Sequence, residues 1–190
     1  MTFVRSITTL LLVAASTCSL PLGWGSFSLG LGAADDEFAA TAGLHAHIQH
    51  RRFVGKISLS HTRESEIFVL FSSISPLIRF DDVAVMAGGS VIGNEWVNVC
   101  ILGGVTWFSG VKRGSLAYRD EGFFSESYYT KDWFDSFGSA FEMQLVFRKH
   151  PVIGFGPILR SSISKEMYRL SLSIAVMAGQ LKSIPKVAKQ

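Results

Sequence analysis

Charge is what this 190-residue chain has least of. Charged residues make up 17% of it, against about 25% in an ordinary globular chain. Cysteine is almost absent: Cys18 and Cys100 are the two, which excludes a disulfide framework, a CxxC redox pair and a cysteine metal site. Past the N-terminus there is no run of about 18 apolar residues, which excludes a helical membrane protein. Helical periodicity is missing as well, since beyond Gly23 the apolar residues recur every second position. Gly30-Leu31-Gly32 lies in one of these alternating stretches with no helix after it, so it is no dinucleotide fingerprint. The net charge of +3 is spread out, without the basic–aromatic pattern of a nucleic-acid binder.

Apolar character is nevertheless abundant. Hydrophobic residues reach 48% and the mean hydropathy is +0.31. Without long runs, that content must be dispersed by alternation. The exception is the N-terminus. Arg5, an apolar stretch over residues 7–15 and the small residues 15–19 follow the order of a secretory signal peptide, so residues 1–19 are expected to be cleaved. A lipoprotein cut before Cys18 fits less well, because Thr17 and Ala15 depart from the residues such a site needs. Cys100 would then remain as a buried structural thiol.

Eight alternating segments follow, at 24–33, 38–50, 53–61, 80–90, 95–109, 134–149, 151–162 and 166–181. Each is near the roughly 9–11 residues of a tilted transmembrane strand. In the second, Ala40, Ala42, Leu44, Ala46 and Ile48 share one face and His45, His47 and Gln49 the other. In the last, Tyr168, Leu170, Leu172, Ile174 and Val176 oppose Arg169, Ser171 and Ser173. Tight turns are expected at 50–52, 93–95 and 149–151. The other connections include two long loops, 62–79 and 110–133. Short turns at one end and long loops at the other are the habit of outer-membrane barrels.

Alternation alone does not say which face is outside, because a lipocalin-like barrel alternates too. The polar face decides. It holds Gly, Ser, Asn, Gln and His, with Lys56, Glu142, Arg160 and Arg169 as its main charges. Small polar residues suit the crowded interior of an eight-stranded barrel and make a poor solvated exterior, so the apolar face is placed against lipid. Aromatics near the segment ends, among them Trp24, Phe53, Trp96, Trp107, Trp133 and Tyr168, fit interfacial girdles. The fold class is therefore all-β: an eight-stranded antiparallel up-and-down transmembrane β-barrel at 23–182, after a cleaved signal peptide and before a polar tail at 183–190.

This strand–turn pattern resembles the small bacterial outer-membrane β-barrel proteins, in particular uncharacterised outer-membrane β-barrel domain families. The resemblance spans residues 24–182. It also rests on Gly110-Val-Lys-Arg-Gly114, on Phe141-Glu-Met-Gln-Leu145, and on Ser173-Ile-Ala-Val-Met-Ala-Gly-Gln-Leu-Lys182. It implies an outer-membrane location and no particular activity. Many such barrels end on an aromatic residue, whereas here a polar tail follows Leu181.

No catalytic signature stands out. Pairing about the 50–52 turn brings His45 toward Ser58 and His47 toward Lys56, without a third, orienting carboxylate. Glu142, Arg160 and Arg169 are expected at similar heights on three neighbouring strands, as a buried salt-bridge cluster. Together with Gln144 these residues form an expected polar network filling the lumen. The loop 110–133 mixes Tyr118, Phe123, Phe124, Tyr128, Tyr129 and Trp133 with charge, a composition suited to recognition of an extracellular ligand. His61 with Glu64 near the outer rim is the remaining candidate. The two histidines at 45 and 47 lack a cysteine or carboxylate to complete a metal site, and no cofactor or metal is expected. The expectation is a monomeric, non-enzymatic outer-membrane barrel with outer-membrane lipid around it and a structural or surface-interaction role. A lipid-modifying outer-membrane enzyme and a soluble periplasmic lipocalin-like binder are the alternatives.

Overall fold

A computed structural model describes residues 23–35, 37–50, 52–64, 74–75, 78–94, 96–119, 127–148, 152–179 and 181. The expected leader at 1–19, the apolar stretch 67–71, Phe123, Phe124 and the tail 183–190 lie outside them. Eight long strands are present: β1 Gly23–Ala34, β2 Glu37–His50, β3 Phe53–Glu64, β4 Arg79–Gly93, β5 Val97–Arg119, β6 Ser127–Arg148, β7 Ile153–Ser164 and β8 Tyr168–Gly179. Each pairs antiparallel with its neighbour in sequence, and β1 also pairs with β8. Hydrogen bonding thus returns on itself in a ring, with no sheet edge left along the eight-stranded part.

The registers fix the shape of the ring. Partners run from Trp24 through His47, Lys56, Met86, Gly104, Ala140, Ser162 and Arg169, and return to β1 at Ala34 rather than Trp24. This ten-residue stagger, from Trp24 to Ala34, tilts the strands by about 40° to the axis of an eight-stranded ring. A ring this narrow curves sharply, and glycine marks where the strands crowd. A Cβ on Gly104 would run into the Val85 carbonyl and lie 2.7 Å from Met86 Cα, whereas one on adjacent Gly103 would meet only the Ala140 carbonyl at 4.0 Å. The two residues face opposite sides of the sheet.

Turn chemistry agrees with the strand ends. Between β4 and β5, Asn94 Oδ1 accepts from the amides of Trp96 (2.8 Å) and Val97 (2.7 Å). Between β1 and β2, Asp35 sits at φ 46°, a conformation Asp tolerates better than most residues. Its carboxylate accepts the Tyr168 amide at 2.8 Å, which ties the first hairpin to the start of β8.

The outer face of the ring is apolar and the inner face polar. Phe27, Leu29, Leu31, Leu44, Ile57, Val85, Phe141, Leu172, Ile174 and Val176 all point outward and are exposed. His47, Lys56, Asp82, Glu142, Gln144, Arg160 and Arg169 point inward and are buried. A lipocalin-like barrel would have its apolar residues inside, so that alternative is overturned.

The two long loops differ from expectation. Most of 110–133 is strand, because β5 and β6 continue past the rest of the ring as a tall hairpin. There the hydrophobic alternation stops, as no core or membrane selects one face, and the period-two signal that marks the strands is lost with it. In the 62–79 link, Thr62, Arg63 and Glu64 still belong to β3. A two-residue strand, Ile74–Ser75, pairs parallel with Ser127–Tyr128 at the hairpin tip.

Ala at position 104 is expected to lower stability by about 1–3 kcal/mol through overpacking against backbone. Ala at position 103 should change it by less than about 0.5 kcal/mol. Urea unfolding of Gly104→Ala and Gly103→Ala in the same lipid or micelle separates the two faces; equal midpoints would contradict the inward assignment.

Candidate functional site

The interior reads as layers. In the middle, the Asp82 carboxylate from β4 faces two guanidiniums. Its Oδ2 accepts from Arg160 Nη2 of β7 at 2.5 Å, and its Oδ1 accepts from Arg169 Nη1 of β8. The remaining guanidinium donors reach across the lumen to β3. Arg160 Nη1 donates to Ser58 Oγ (2.6 Å) and Ser60 Oγ (3.2 Å), and Arg169 Nη1 donates to Thr62 Oγ1 (3.1 Å). Arg160 Nε also donates to Ser162 Oγ at 3.3 Å.

Below lies a second charge pair. Lys56 Nζ on β3 donates to Glu142 Oε1 on β6 at 2.5 Å, both side chains fully buried. Glu142 is the register partner of Arg160 but bonds to lysine across the lumen instead. Beside it, His45 bridges Ser28 Oγ (2.8 Å from Nε2) and Ser58 Oγ (2.9 Å from Nδ1). Gly43 makes room for this ring, since a Cβ there would lie 2.8 Å from His45 Cε1. His47 stacks on Trp24 with ring centroids 4.8 Å apart. Gln144 donates to the Met177 sulfur at 3.7 Å. The registers His45–Ser58 and His47–Lys56 are those the turn spacing suggests. Among the described residues, no group of three His, Cys, Asp or Glu lies together as a metal site. The hydroxyls around His45 are engaged by one another and by Arg160, with no carboxylate on the ring, so the geometry is that of a structural network.

Apolar layers bound this core. At the turn end, Trp24, Val54, Val146, Met177 and Leu181 are buried together. There the Asn98 amide is best oriented with Nδ2 donating to the Ile92 carbonyl (3.1 Å) and Oδ1 accepting from Arg148 Nη2 (2.7 Å), because the opposite orientation faces like groups. This anchors the register shift between Ser90 and Ile92. At the loop end, Ile78, Phe80, Phe108, Phe134 and Met167 form a cap. The Arg169 guanidinium lies 5.9 Å from the Phe80 ring centroid, which joins cap to core.

Above the cap, β5 reaches across the mouth. Arg113 Nη1 donates to Glu37 Oε1 at 2.7 Å, and Nη2 donates to Glu64 Oε1. Lys112 Nζ donates to Glu166 Oε2 at 2.6 Å. The tall hairpin is thereby clasped to β2, β3 and the β7–β8 turn. Lys112 holds the Glu166 carboxyl below its ordinary pKa, by the hydrogen bond first and by charge second.

The aromatic residues expected to recognise a ligand are distributed along this hairpin. Tyr118 and Tyr128 are register partners near its tip, with ring centroids 6.2 Å apart. Tyr129 lies under the Arg113 guanidinium, 6.0 Å from the ring centroid. Trp133 is 74% exposed on the outer face. The candidate pair His61 and Glu64 is not formed. Three residues apart on one strand, they face opposite sides: Glu64 is buried and bonds Arg113, while His61 points outward and lies 2.7 Å from Asp81 Oδ1.

The expected cluster of Glu142, Arg160 and Arg169 is therefore rearranged. The arginines share Asp82 and the glutamate takes Lys56. Asp82 was missed because it is the third residue of its segment, close to the start, where a charge reads as a strand end. Its place in the alternation, on the face of Ala84 and Met86, was the available signal.

No family model matches the chain, and no curated protein does. Solved structures share its fold. Ail, the attachment invasion locus protein of Yersinia pestis, is 16% identical with a TM-score of 0.52, over 83% of this chain and 98% of that one. Neisserial surface protein A is 8% identical with a TM-score of 0.58, over 82% of this chain and 94% of that one.

Asp82→Asn should destabilise the fold by about 3–5 kcal/mol, because it strands two buried guanidiniums. Replacing the other pair together, Lys56→Met with Glu142→Leu, should cost far less, as buried pairs removed whole often do. Equal losses in denaturant unfolding would refute this ranking. The lowered Glu166 pKa means that its tie to Lys112 survives the ordinary carboxylate range and is lost only as pH falls through the lowered value. The Glu166 carboxyl carbon, followed by NMR, should titrate below a free glutamate and return to the ordinary range in Lys112→Met.

Proposed function

We propose that this chain is an exported, monomeric outer-membrane barrel whose lumen is filled and whose role is structural or surface-interacting rather than catalytic. In this reading residues 1–19 are a cleaved signal peptide, residues 23–182 the barrel domain and residues 183–190 a polar tail. The observation that carries it is the inversion of the two faces over a band of fixed height. On β3, from Phe53 at the turn end to Arg63 at the loop end, ten residue steps at about 3.3 Å each and about 40° of tilt span about 25 Å. That is the height of the apolar band on an outer-membrane barrel. Trp96, Phe53 and Phe155 lie toward its turn end, and Trp107, Phe137, Trp133 and Tyr168 toward its loop end, as interfacial girdles do.

The lumen groups, His45, His47, Lys56, Glu142, Gln144, Arg160 and Arg169, serve the fold. Apolar layers above and below them favour a plugged interior over a channel. Recognition then falls to the hairpin. Its strands rise about 25 Å along the chain beyond Val111, the last β5 residue opposite β4. They carry Tyr118, Tyr128, Tyr129 and Trp133, with Phe123 and Phe124 in the intervening segment. Such an aromatic-bearing arm suits an extracellular ligand.

In a detergent-extracted outer-membrane fraction the protein should migrate differently in cold SDS and after boiling. On intact cells, a membrane-impermeant maleimide should label Tyr128→Cys and leave Trp96→Cys unlabelled. A soluble, unshifted protein would overturn the membrane reading, and the reverse labelling would overturn the orientation.

A further inference from the structure

The ion pairs that hold the tall hairpin all attach at its base. Lys112 binds Glu166, and Arg113 binds Glu37 and Glu64. The two cations are consecutive on β5, just past Val111, the last β5 residue opposite β4. Directly above them the pairing of the hairpin is interrupted twice. Arg113 stands opposite Lys131, but the next pairs are Leu116 with Tyr129 and Tyr118 with Tyr128. Over this stretch β5 therefore carries two residues more than β6. Gly114 and Ser115 face Thr130 together, and Ala117 falls between two pairs. Each extra residue is a β-bulge, which breaks the ladder locally and bends and twists its strand. Across the first bulge Thr130 Oγ1 donates to the Ser115 carbonyl at 3.4 Å, longer than an ordinary O–H···O bond. Above the bulges the described residues form a two-stranded hairpin with only Ile74–Ser75 beside it. Two strands without a core hold their shape weakly, so the sheet alone does not fix the direction of the arm.

We propose that the two bulges are a hinge in the arm, and that Lys112 and Arg113 are the latch that sets its direction over the mouth. This rests on the reading of the hairpin as the recognition arm. The hinge lies between the ring and the Tyr118–Tyr128 pair, so the latch decides where those rings are presented. The Arg113–Glu64 pair is the firmer part, because both side chains are largely buried and salt screens such a pair little. Tyr129 joins the two parts. It pairs with Leu116 between the bulges and also lies under the Arg113 guanidinium. A partner that takes the face of the Tyr129 ring competes with the latch for it.

The test uses the full chain folded in micelles, with spin labels at Tyr128→Cys on the arm and Ile163→Cys on the outer face of the ring, in a Cys100→Ala background. Each sample is scored first for the cold-SDS mobility shift, and the distance between labels is then read by double electron–electron resonance. The latched chain should give one narrow distance peak. Lys112→Gln with Arg113→Gln should still shift on boiling but lose that peak to a broad distribution. Deleting Ser115 and Ala117 in the unlatched chain, which restores one-to-one pairing along the arm, should bring a narrow peak back. An unlatched chain that keeps the narrow peak would overturn the latch. A distribution that stays broad once the bulges are removed would overturn the hinge. Where the double variant fails to shift, Glu37→Gln with Glu166→Gln removes the exposed acceptors instead and is read in the same way. A latched chain that never shifts defeats the membrane reading, whereas a peak indifferent to the latch in a chain that does shift defeats this inference alone.

Discussion

The carboxylate of Asp82 is shared by Arg160 and Arg169, and the interior is arranged around that one buried anion. Two guanidiniums carry more charge than one carboxylate neutralises, and the hydroxyls of Ser58, Ser60, Thr62 and Ser162 accept from further donors of the pair. Apart from the Arg160–Ser162 bond within β7, these contacts run from β7 and β8 to β3 and β4, across the ring rather than along it. Hydrogen bonds between adjacent strands close the wall and, with its stagger, fix its width; the cross-lumen bonds tie its opposite sides together. The neighbouring Lys56–Glu142 pair acts the same way between β3 and β6. Its neutralisation within the pair leaves Asp82 to the arginines.

A narrow ring imposes the second constraint. With ten residues of stagger over eight strands, neighbouring backbones approach closely on the inner side, and Gly104 and Gly43 are the price of that closeness. Gly104 leaves room for the Val85 carbonyl and Gly43 for the His45 ring. Glycine in a strand interior is otherwise unfavourable. Here curvature explains it at one position and the packing of a buried polar ring at the other.

The barrel was legible because an apolar outer face and a polar inner face impose a period of two on the strands. His45 against Ser58 and His47 against Lys56 followed from the turn and the alternation alone. What failed did so for physical reasons. The tall hairpin was read as loop because Val111–Arg119 and Ser127–Trp133 leave the region where opposite faces meet different solvents. The partners of Glu142, Arg160 and Arg169 were misassigned because register reports adjacency along the wall, whereas long side chains bond across the lumen. Arg113 gave no signal of its role, since a residue beyond the last β4–β5 pair can reach Glu37 and Glu64 only once the hairpin leans over the mouth.

These features together decide where chemistry can occur. Each charged group in the middle of the lumen has a buried partner of opposite sign, and a ligand would have to displace one of those partners at the cost of an unpaired buried charge. Entry from the loop end would further require opening the phenylalanine cap and the Arg113 clasp above it. The interior is filled by groups that tie opposite strands together. What remains available is outside, on the aromatic hairpin that the clasp holds over the mouth.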